Sequence, residues 1–311
     1  MARFHDAGNE RPGSTGVAPV QAAREAANDR VAPSSPAAGA LAPASNLPQY
    51  AVLSMSRLRP SMVPWAVSRL VRGPRALAGT PGLRFARVLG SGHDAGFGLR
   101  PGLDCQGVYA TFDSLAAAQD FADASASLET YRAREVEGFR AVLRVLSSRG
   151  TWAGQGLQVD PAASLRPGRP VAVLTRASIR PSKALRFWAL SPDAEEELAV
   201  APGCRVAVGL GEAPVLRQAT FSLWDSVSTM EAFAHHGAHQ RALRQSWQEK
   251  HFSEWMFVRF AVESLTGRWA GHELNLPADA ARLHRASRVP LDREAAREAL
   301  ARTSLHEASG D

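Results

Sequence analysis

Lysine is almost missing from this 311-residue chain: Lys183 and Lys250 are the only two, and every other side-chain cation outside histidine is an arginine. The formal charge of +6 therefore comes without lysine runs, and no basic stretch is interleaved with aromatics as a nucleic-acid groove requires. Nucleic acid is not an expected partner, and the arginine skew beside so much Ala and Gly is read as the mark of a GC-rich genome. Cysteine is equally sparse. Cys105 and Cys204 form no CxxC pair and no zinc spacing, which argues against a disulfide framework and makes a reducing, cytoplasmic setting the expectation. No apolar run approaches the ~20 residues that span a bilayer, and the N-terminus lacks the apolar core of a secretory signal. P-loop, GxGxxG and GxSxG patterns are all missing, which leaves the common nucleotide-binding and serine-hydrolase classes without support. From Met1 to about Pro48 large apolar residues are nearly absent too, so that stretch cannot offset its chain entropy by burial. A disordered tail is expected there, with a mis-assigned start codon as the alternative.

What is present begins at Tyr50. Hydrophobic residues make up 45% of the chain, enough for a sizeable core. YAVLSMSRL reads as a strand, and Ser61 to Ala78 as a helix whose apolar face carries Val63, Trp65, Val67, Leu70 and Leu77, with Pro64 tolerable only in its first turn. Leu83 to Ser91 reads as a second strand, followed by a Gly-rich loop to Gly107. Val108 to Phe112 is a third strand, closed by Asp113 and Ser114 as helix N-caps. A helix then runs to the region of Glu137, and Phe139 to Ser147 is a fourth strand. The order βαββαβ is that of a ferredoxin-like unit.

The pattern then starts again. LRPS at Leu58 returns as IRPS at Ile179, and GLRFARVLG at Gly82 returns as GCRVAVGLG at Gly203, both 121 residues on (58 to 179, 82 to 203). ATF at Ala110 returns at Ala219, DSLAAAQDFA at Asp113 as DSVSTMEAFA at Asp225, and TWAG at Thr151 as RWAG at Arg268, with offsets of 109, 112 and 117. Five matches in one order point to a tandem duplication. The expected fold is α+β: tandem ferredoxin-like repeats forming, within one chain, a body like a dimeric α/β barrel. The expected parts are a tail over 1–48, a first repeat over 49–155, a second over 168–271 and a C-terminal tail over 272–311.

Histidine is shared unequally between the repeats. The first holds only His93, in a loop, and by the offset of 112 Ser127 stands where the second has His239. That asymmetry points to one site, in the second repeat. Ser228 and Glu231 have capping-box spacing, and Gly237 is expected to break or kink the helix they start. If helix resumes, His239, Leu243 and Trp247 share an apolar face with small neighbours at Gly237, Ala238 and Ala242. A histidine so placed is commonly a satisfied core residue. The space beside it also suits a flat group, and Arg241 and Arg244 suit carboxylates, which together fit axial ligation of haem iron. A non-haem iron site at Glu231, His235 and His239, spaced i, i+4 and i+8, is the alternative, with Gly237 against it. Cys105-Gln106-Gly107 only faintly resembles a thiolate-haem motif. Aromatics crowd the second repeat, from Phe187 to Trp269, in numbers that allow a long apolar pocket.

Several longer stretches carry a family resemblance: GTWAG (Gly150 to Gly154), LTRASIRP (Leu174 to Pro181), RFW (Arg186 to Trp188), GLGEAPVLRQATFSLW (Gly209 to Trp224), the AFA pattern ending at His239 and Ala242, and FSEWMFVRF (Phe252 to Phe260). From roughly Leu53 to Gly271 the chain resembles the spheroidene monooxygenases, or acyclic carotenoid 2-ketolases. The resemblance implies an oxygen-dependent haem enzyme of carotenoid biosynthesis that hydroxylates C2 of an acyclic carotenoid twice, the gem-diol losing water to give a ketone. It implies O2 and a ferredoxin-type reductant as partners, and peripheral contact with the inner membrane because the substrate is lipid-soluble. It carries the haem-binding histidine onto His239, with His251 in reserve, and the catalytic Glu and Arg onto Glu254 and Arg259. Arg241, Arg244 or Arg259 would hold propionates. The chain departs from the family at Arg217, where a His is usual. A related oxygenase on another apolar substrate, or a non-catalytic haem or carotenoid binder, stays open beside this reading.

Overall fold

The computed structural model describes residues 49–276 except 97, 99, 161, 162, 165–167, 190, 214, 215 and 236; for 213, 238, 239, 243 and 247 the description stops at the backbone. The tail expected over 1–48 lies outside it, as does the C-terminal tail expected over 272–311 from 277 onward, while His272–Glu273 form a short strand and Leu274 is buried. The first half runs β1 (Tyr50–Leu58), α1 (Val63–Ala76), β2 (Leu83–Gly92), β3 (Pro101–Phe112), α2 (Leu115–Ala124), α3 (Ala126–Arg132) and β4 (Glu135–Gly150). The second runs β5 (Val171–Ile179), α4 (Ala184–Ala189), α5 (Ser191–Ala199), β6 (Cys204–Ala213), β7 (Arg217–Trp224), α6 (Val227–Ala234), α7 (Gly237–Gln248) and β8 (Phe252–Trp269), and β9 (His272–Glu273) turns back on β8. Each half is a βαββαβ unit, as the repeats imply.

All strands pair antiparallel, in the order β4-β1-β3-β2-β6-β7-β5-β8-β9, and β4 also pairs β8. Eight strands thus close into a barrel with no free edge among β1 to β8, which removes the exposed backbone donors and acceptors of an open sheet. Alternation along each strand sends one set of side chains inward. Leu53 and Met55 of β1, Leu143 of β4, Leu174 of β5, Phe221 of β7 and Phe260 of β8 meet in one interior cluster, so the barrel is filled rather than hollow. The opposite set faces the helices.

Sequence periodicity underestimates the strands. β3 starts at Pro101, inside the stretch expected to be loop up to Gly107, and β4 spans Glu135–Gly150. Both extensions exist because a partner strand is there to pair with, which local composition does not encode. The apolar face expected for α1 is also corrected. The helix rests on the sheet through Ala66 and Gly73, both buried, while Val67 and Leu70 are turned to solvent. A Cβ on Gly73 would strike the Val88 side chain, so close approach here demands small residues. The ATF repeat is a chance match. Val52 pairs Ala110 and Val173 pairs Ser222, so Ala110 corresponds to Ser222, at the same offset of 112 as Asp113 and Asp225.

The halves meet along two unequal seams. β4 and β8 pair from Gly138↔Arg268 to Gly150↔Met256, whereas β2 and β6 share only Gly90↔Gly211 among the described residues. The thin seam is reinforced by side chains. Ser91 Oγ donates to Gly209 O at 2.6 Å, and Arg87 meets Glu212 at 2.7 Å. Glu212 also accepts from Trp152 Nε1 at 3.1 Å and from Arg176 at 3.2 Å. Arg176, only 3% exposed, reaches Glu254 at 2.5 Å, and Glu254 accepts from Thr151 Oγ1 at 3.0 Å and Gly154 N at 2.8 Å. Burial alone would raise both carboxyls. The Trp152, Arg87 and Arg176 donors around Glu212, and the Gly154 N–H, Arg176 and Thr151 around Glu254, hold each below the usual range.

This buried network generates a stability test. Arg176→Ala leaves two carboxylates without their shared cation and is expected to cost about 3–5 kcal/mol in urea unfolding at neutral pH. Both carboxyls titrate lower folded than unfolded, so the stabilisation is complete above the ordinary carboxylate pKa of ~4 and is lost as pH falls through the folded values. The deficit of the variant should therefore shrink in acid. A variant within about 1 kcal/mol of the parent at neutral pH would contradict the role given to Arg176.

Candidate functional site: a cavity in the second half

The layer between sheet and helices is built differently in the two halves. In the first it is solid: Val52, Val88, Val108, Phe112, Phe121 and Val142 lock together with further small and aromatic neighbours. In the second a cavity of about 190 Å³ opens, larger than the ~150 Å³ hollow that admits benzene. Its floor is the outer face of β5, β7 and β8: Thr175, Ala177, Gln218, Thr220, Ser222 and Phe257. Its roof is helical. α4 contributes Phe187 and Trp188, α5 Ala194 and Leu198, α6 Phe233 and Ala234, α7 Ala242 and Ser246. Large flat walls at Phe187, Trp188, Phe233 and Phe257 alternate with alanines, which leaves slots rather than a round void.

Strand register shows how the floor differs in chemistry from the matching face of the first half. Ser54 pairs Val108 in the first half and Thr175 pairs Thr220 in the second, so Val108 corresponds to Thr220 and, two residues on, Ala110 to Ser222. Val142, buried opposite Val52, corresponds to Arg259, opposite Val173. The most informative pair is Gln106 and Gln218, opposite Ser56 and Ala177. Gln106 is buried, donates to Ala66 O at 2.6 Å and accepts from Tyr131 Oη at 3.3 Å, tying helices to sheet. Gln218 lines the cavity instead. Sequence reading missed Gln218, Thr175 and Thr220. The signal for Gln218 was its spacing of 112 from Gln106, hidden by the accidental ATF match.

Two short helices carry the roof on the α6–α7 side. The capping box sits at Ser226, whose hydroxyl accepts from Thr229 N at 3.3 Å while Thr229 Oγ1 accepts from Ser226 N, and not at Ser228 and Glu231 as the spacing suggested. α6 ends at Ala234, and α7 restarts at Gly237 with φ of 74°, where a Cβ would run into the Glu197 carboxylate of α5. His235 is exposed in the turn between them, and His236 lies outside the described residues.

The break bears on the spacing behind the non-haem reading. Glu231, His235 and His239 do not lie on one continuous helix, and Glu231 pairs with Arg259 at 3.3 Å. Among the described residues no group of three His, Cys, Asp or Glu is placed to hold a metal. The helical spacing that suggested the non-haem set Glu231, His235 and His239 is therefore interrupted at the turn between α6 and α7. Position 239 is on α7, three and seven residues before Ala242 and Ser246, which both line the cavity, so all three positions share one helix face. The His239 side chain itself is outside the description. The cavity under α7 is lined mainly by aromatic and alanine side chains, a surface suited to an apolar guest.

Other expected site residues are redistributed. Arg241 and Arg244 fall about 200° and 140° round the helix from 239 and are exposed, so neither reaches the cavity. Arg259 does stand at its edge, bonded to Glu231 and 5.9 Å from the ring of Phe257, a lining residue. Glu254 is five residues from Arg259 on β8, hence on the opposite face, and belongs to the Arg176 network inside the barrel. Glu254 pairs with Arg176 and Arg259 with Glu231, rather than with each other. Cys105 is buried in the barrel interior, and burial pushes its thiol up to about 12, so no thiolate ligand is available there. His251 is fully buried. Its Nε2 lies 3.0 Å from Glu249 Oε2 and its Nδ1 has no hydrogen-bond partner. Gln245 and His251 draw the Glu249 carboxyl below its usual range, and Arg186 of α4 meets the same group at 2.8 Å. This knot braces α4 against the start of β8 beside the cavity residues Phe187, Ser246 and Phe252.

No helix among the described residues is long and apolar enough to cross a membrane. No protein-family model matches the chain. An aldoxime dehydratase crystallised with butyraldoxime aligns with 70% of this chain and 80% of its own at a TM-score of 0.47 and 10% identity, too remote to bear on chemistry. The relatives by sequence are much nearer. Spheroidene monooxygenase of Rubrivivax gelatinosus is 48% identical over 220 residues, covering 71% of this chain and 84% of that protein. The spheroidene monooxygenase of Rhodobacter capsulatus is 34% identical over 215 residues, covering 68% and 89%. On the strength of these two matches, the chain belongs to the spheroidene monooxygenase family.

Proposed function

We propose that the protein introduces a keto group at C2 of an acyclic carotenoid of the spheroidene type, using O2 and a haem held in the second-half cavity. The observation that carries the reading is the asymmetry of the duplicated fold: one sheet–helix layer is solid and the other is hollow, apolar and roofed by the helix bearing His239. Each turnover consumes O2, two electrons and two protons, places one oxygen atom in a C–H bond and releases the other as water. A second round at the same carbon gives a geminal diol, and loss of water leaves the ketone. The electrons come from a ferredoxin-type donor.

Haem, when bound, supplies the oxygen activation. His239, on α7, would hold the group, and Arg259 at the cavity edge would offer its guanidinium to a carboxylate of it. Phe187, Phe233 and Phe257 confine the polyene and exclude water. The floor opposite α7 carries the Thr175–Thr220 cross-strand pair and the Gln218 amide, the polar groups available to hydrogen-bond oxygen on that side. Glu254 is left out of the chemistry and is read as a strut. His251 supports a second ligand reading, because a buried imidazole that gives one nitrogen to a carboxylate and keeps the other unpartnered is in the state of a metal-binding histidine.

His239→Ala is expected to remove or strongly shift the Soret band of purified protein and to lower ketone formation by more than about a hundredfold. His251→Ala should leave the band in place. The reverse outcome moves the ligand to His251, and a normal spectrum in both variants ends the axial-histidine account. Gln218→Leu tests the floor: the haem content should persist while the CO-stretching frequency of the reduced CO complex shifts, and an unchanged frequency would exclude contact between the amide and the bound gas.

A further inference from the structure

Helix α1 is amphipathic in the inverse sense. It lies on the sheet through Ala66 and Gly73 and presents its larger aliphatic side chains outward: Val67 is 47% exposed, Leu70 40% and Val71 77%. These three occupy positions i, i+3 and i+4, one continuous face. An ordinary surface helix of a folded domain does the opposite. Charge follows the same side. From residue 58 to residue 82 every charged residue is an arginine, namely Arg59, Arg69, Arg72 and Arg75. Arg72 and Arg75 are exposed beside the aliphatic face. Arg69 is held back over the ring of Trp65, at 5.7 Å, with Arg134 at 4.8 Å from the same ring, so the indole anchors the helix rather than the solvent face.

We propose that α1 docks the protein on an anionic lipid surface, with Val67, Leu70 and Val71 entering the headgroup boundary and Arg72 and Arg75 meeting lipid phosphates. An apolar face flanked by arginines and free of acidic residues matches such a surface in both its terms, burial and charge. Pairing with a second copy across a two-fold would set Arg72 and Arg75 against their own counterparts, which disfavours a dimer through this face. The helix belongs to the solid half, so docking does not consume the cavity walls. The inference concerns the surface alone and does not depend on the haem reading, although it suits a substrate that is dissolved in lipid.

The test is sedimentation of the full chain with vesicles of phosphatidylcholine alone and of phosphatidylcholine mixed with phosphatidylglycerol. Binding is expected to the mixed vesicles and to fall with added salt. Arg72→Gln with Arg75→Gln should weaken it about thirtyfold, and Val67→Ser with Val71→Ser about tenfold. All four side chains are exposed, so the variants are expected to keep their unfolding midpoint and haem spectrum, which separates failure of docking from failure of the site. Equal binding to neutral vesicles, no binding at all, or variants that bind like the parent would overturn the proposal. So would a concentration-dependent dimer abolished by the same substitutions, which would assign the face to a second copy.

Discussion

Closure of the barrel through the β4–β8 pairing is the constraint on which the rest depends. Once Gly138 to Gly150 are laddered to β8, one edge of each half is used and the inward faces are committed to a common core. No room is left for a ligand inside. Space can be opened only on the outside of the sheet, under the helices, and duplication offers two such layers. The first half keeps its layer solid, which supports the closed frame. The second holds the cavity, and its floor differs in polarity rather than in size. Thr220 for Val108 and Ser222 for Ala110 replace apolar groups with hydroxyls on the floor, and Arg259 for Val142 carries charge to the edge.

A hollow layer costs stability, since wall atoms lose their dispersion partners and apolar surface is left unburied. The structure offsets this with polar ties at the borders of the cavity rather than within it. Glu249 gathers Arg186, Gln245 and His251 where α4, α7 and β8 converge. Arg176 gathers Glu212 and Glu254 beneath the floor, and Glu212 reaches Arg87 across the thin seam. Such ties fix geometry while leaving the slot between Phe187, Phe233 and Phe257 for a guest.

The fold was legible because duplication writes the same pattern twice: LRPS with IRPS and DSLAAAQDFA with DSVSTMEAFA share offsets that only a repeated topology explains. Less legible was anything decided by a distant partner. The family resemblance gave Glu254 a catalytic part, and its bond to Arg176, 78 residues away in sequence, was not readable from its neighbours on β8. Val67 and Leu70 had helical spacing, yet spacing says only that residues share a face, not that the face is buried. Ala66 and Gly73 won the sheet because close approach to Val88 favours small residues. Within the candidate site, the inequality of histidines pointed to the half that holds the cavity, and Gly237 marked the helix break. Gln218 was hidden because its role appears only when β7 is set against β3 by register.

The central claim is that one chain holds one flat cofactor, in its second half. The measurement closest to it is the ratio of haem to protein, by pyridine haemochrome absorbance against amino-acid analysis, after saturation with haem and removal of excess. The account predicts one haem per chain. Two would mean that the first half is also a site, contrary to its solid layer, and none would remove the cofactor from which the proposed chemistry starts.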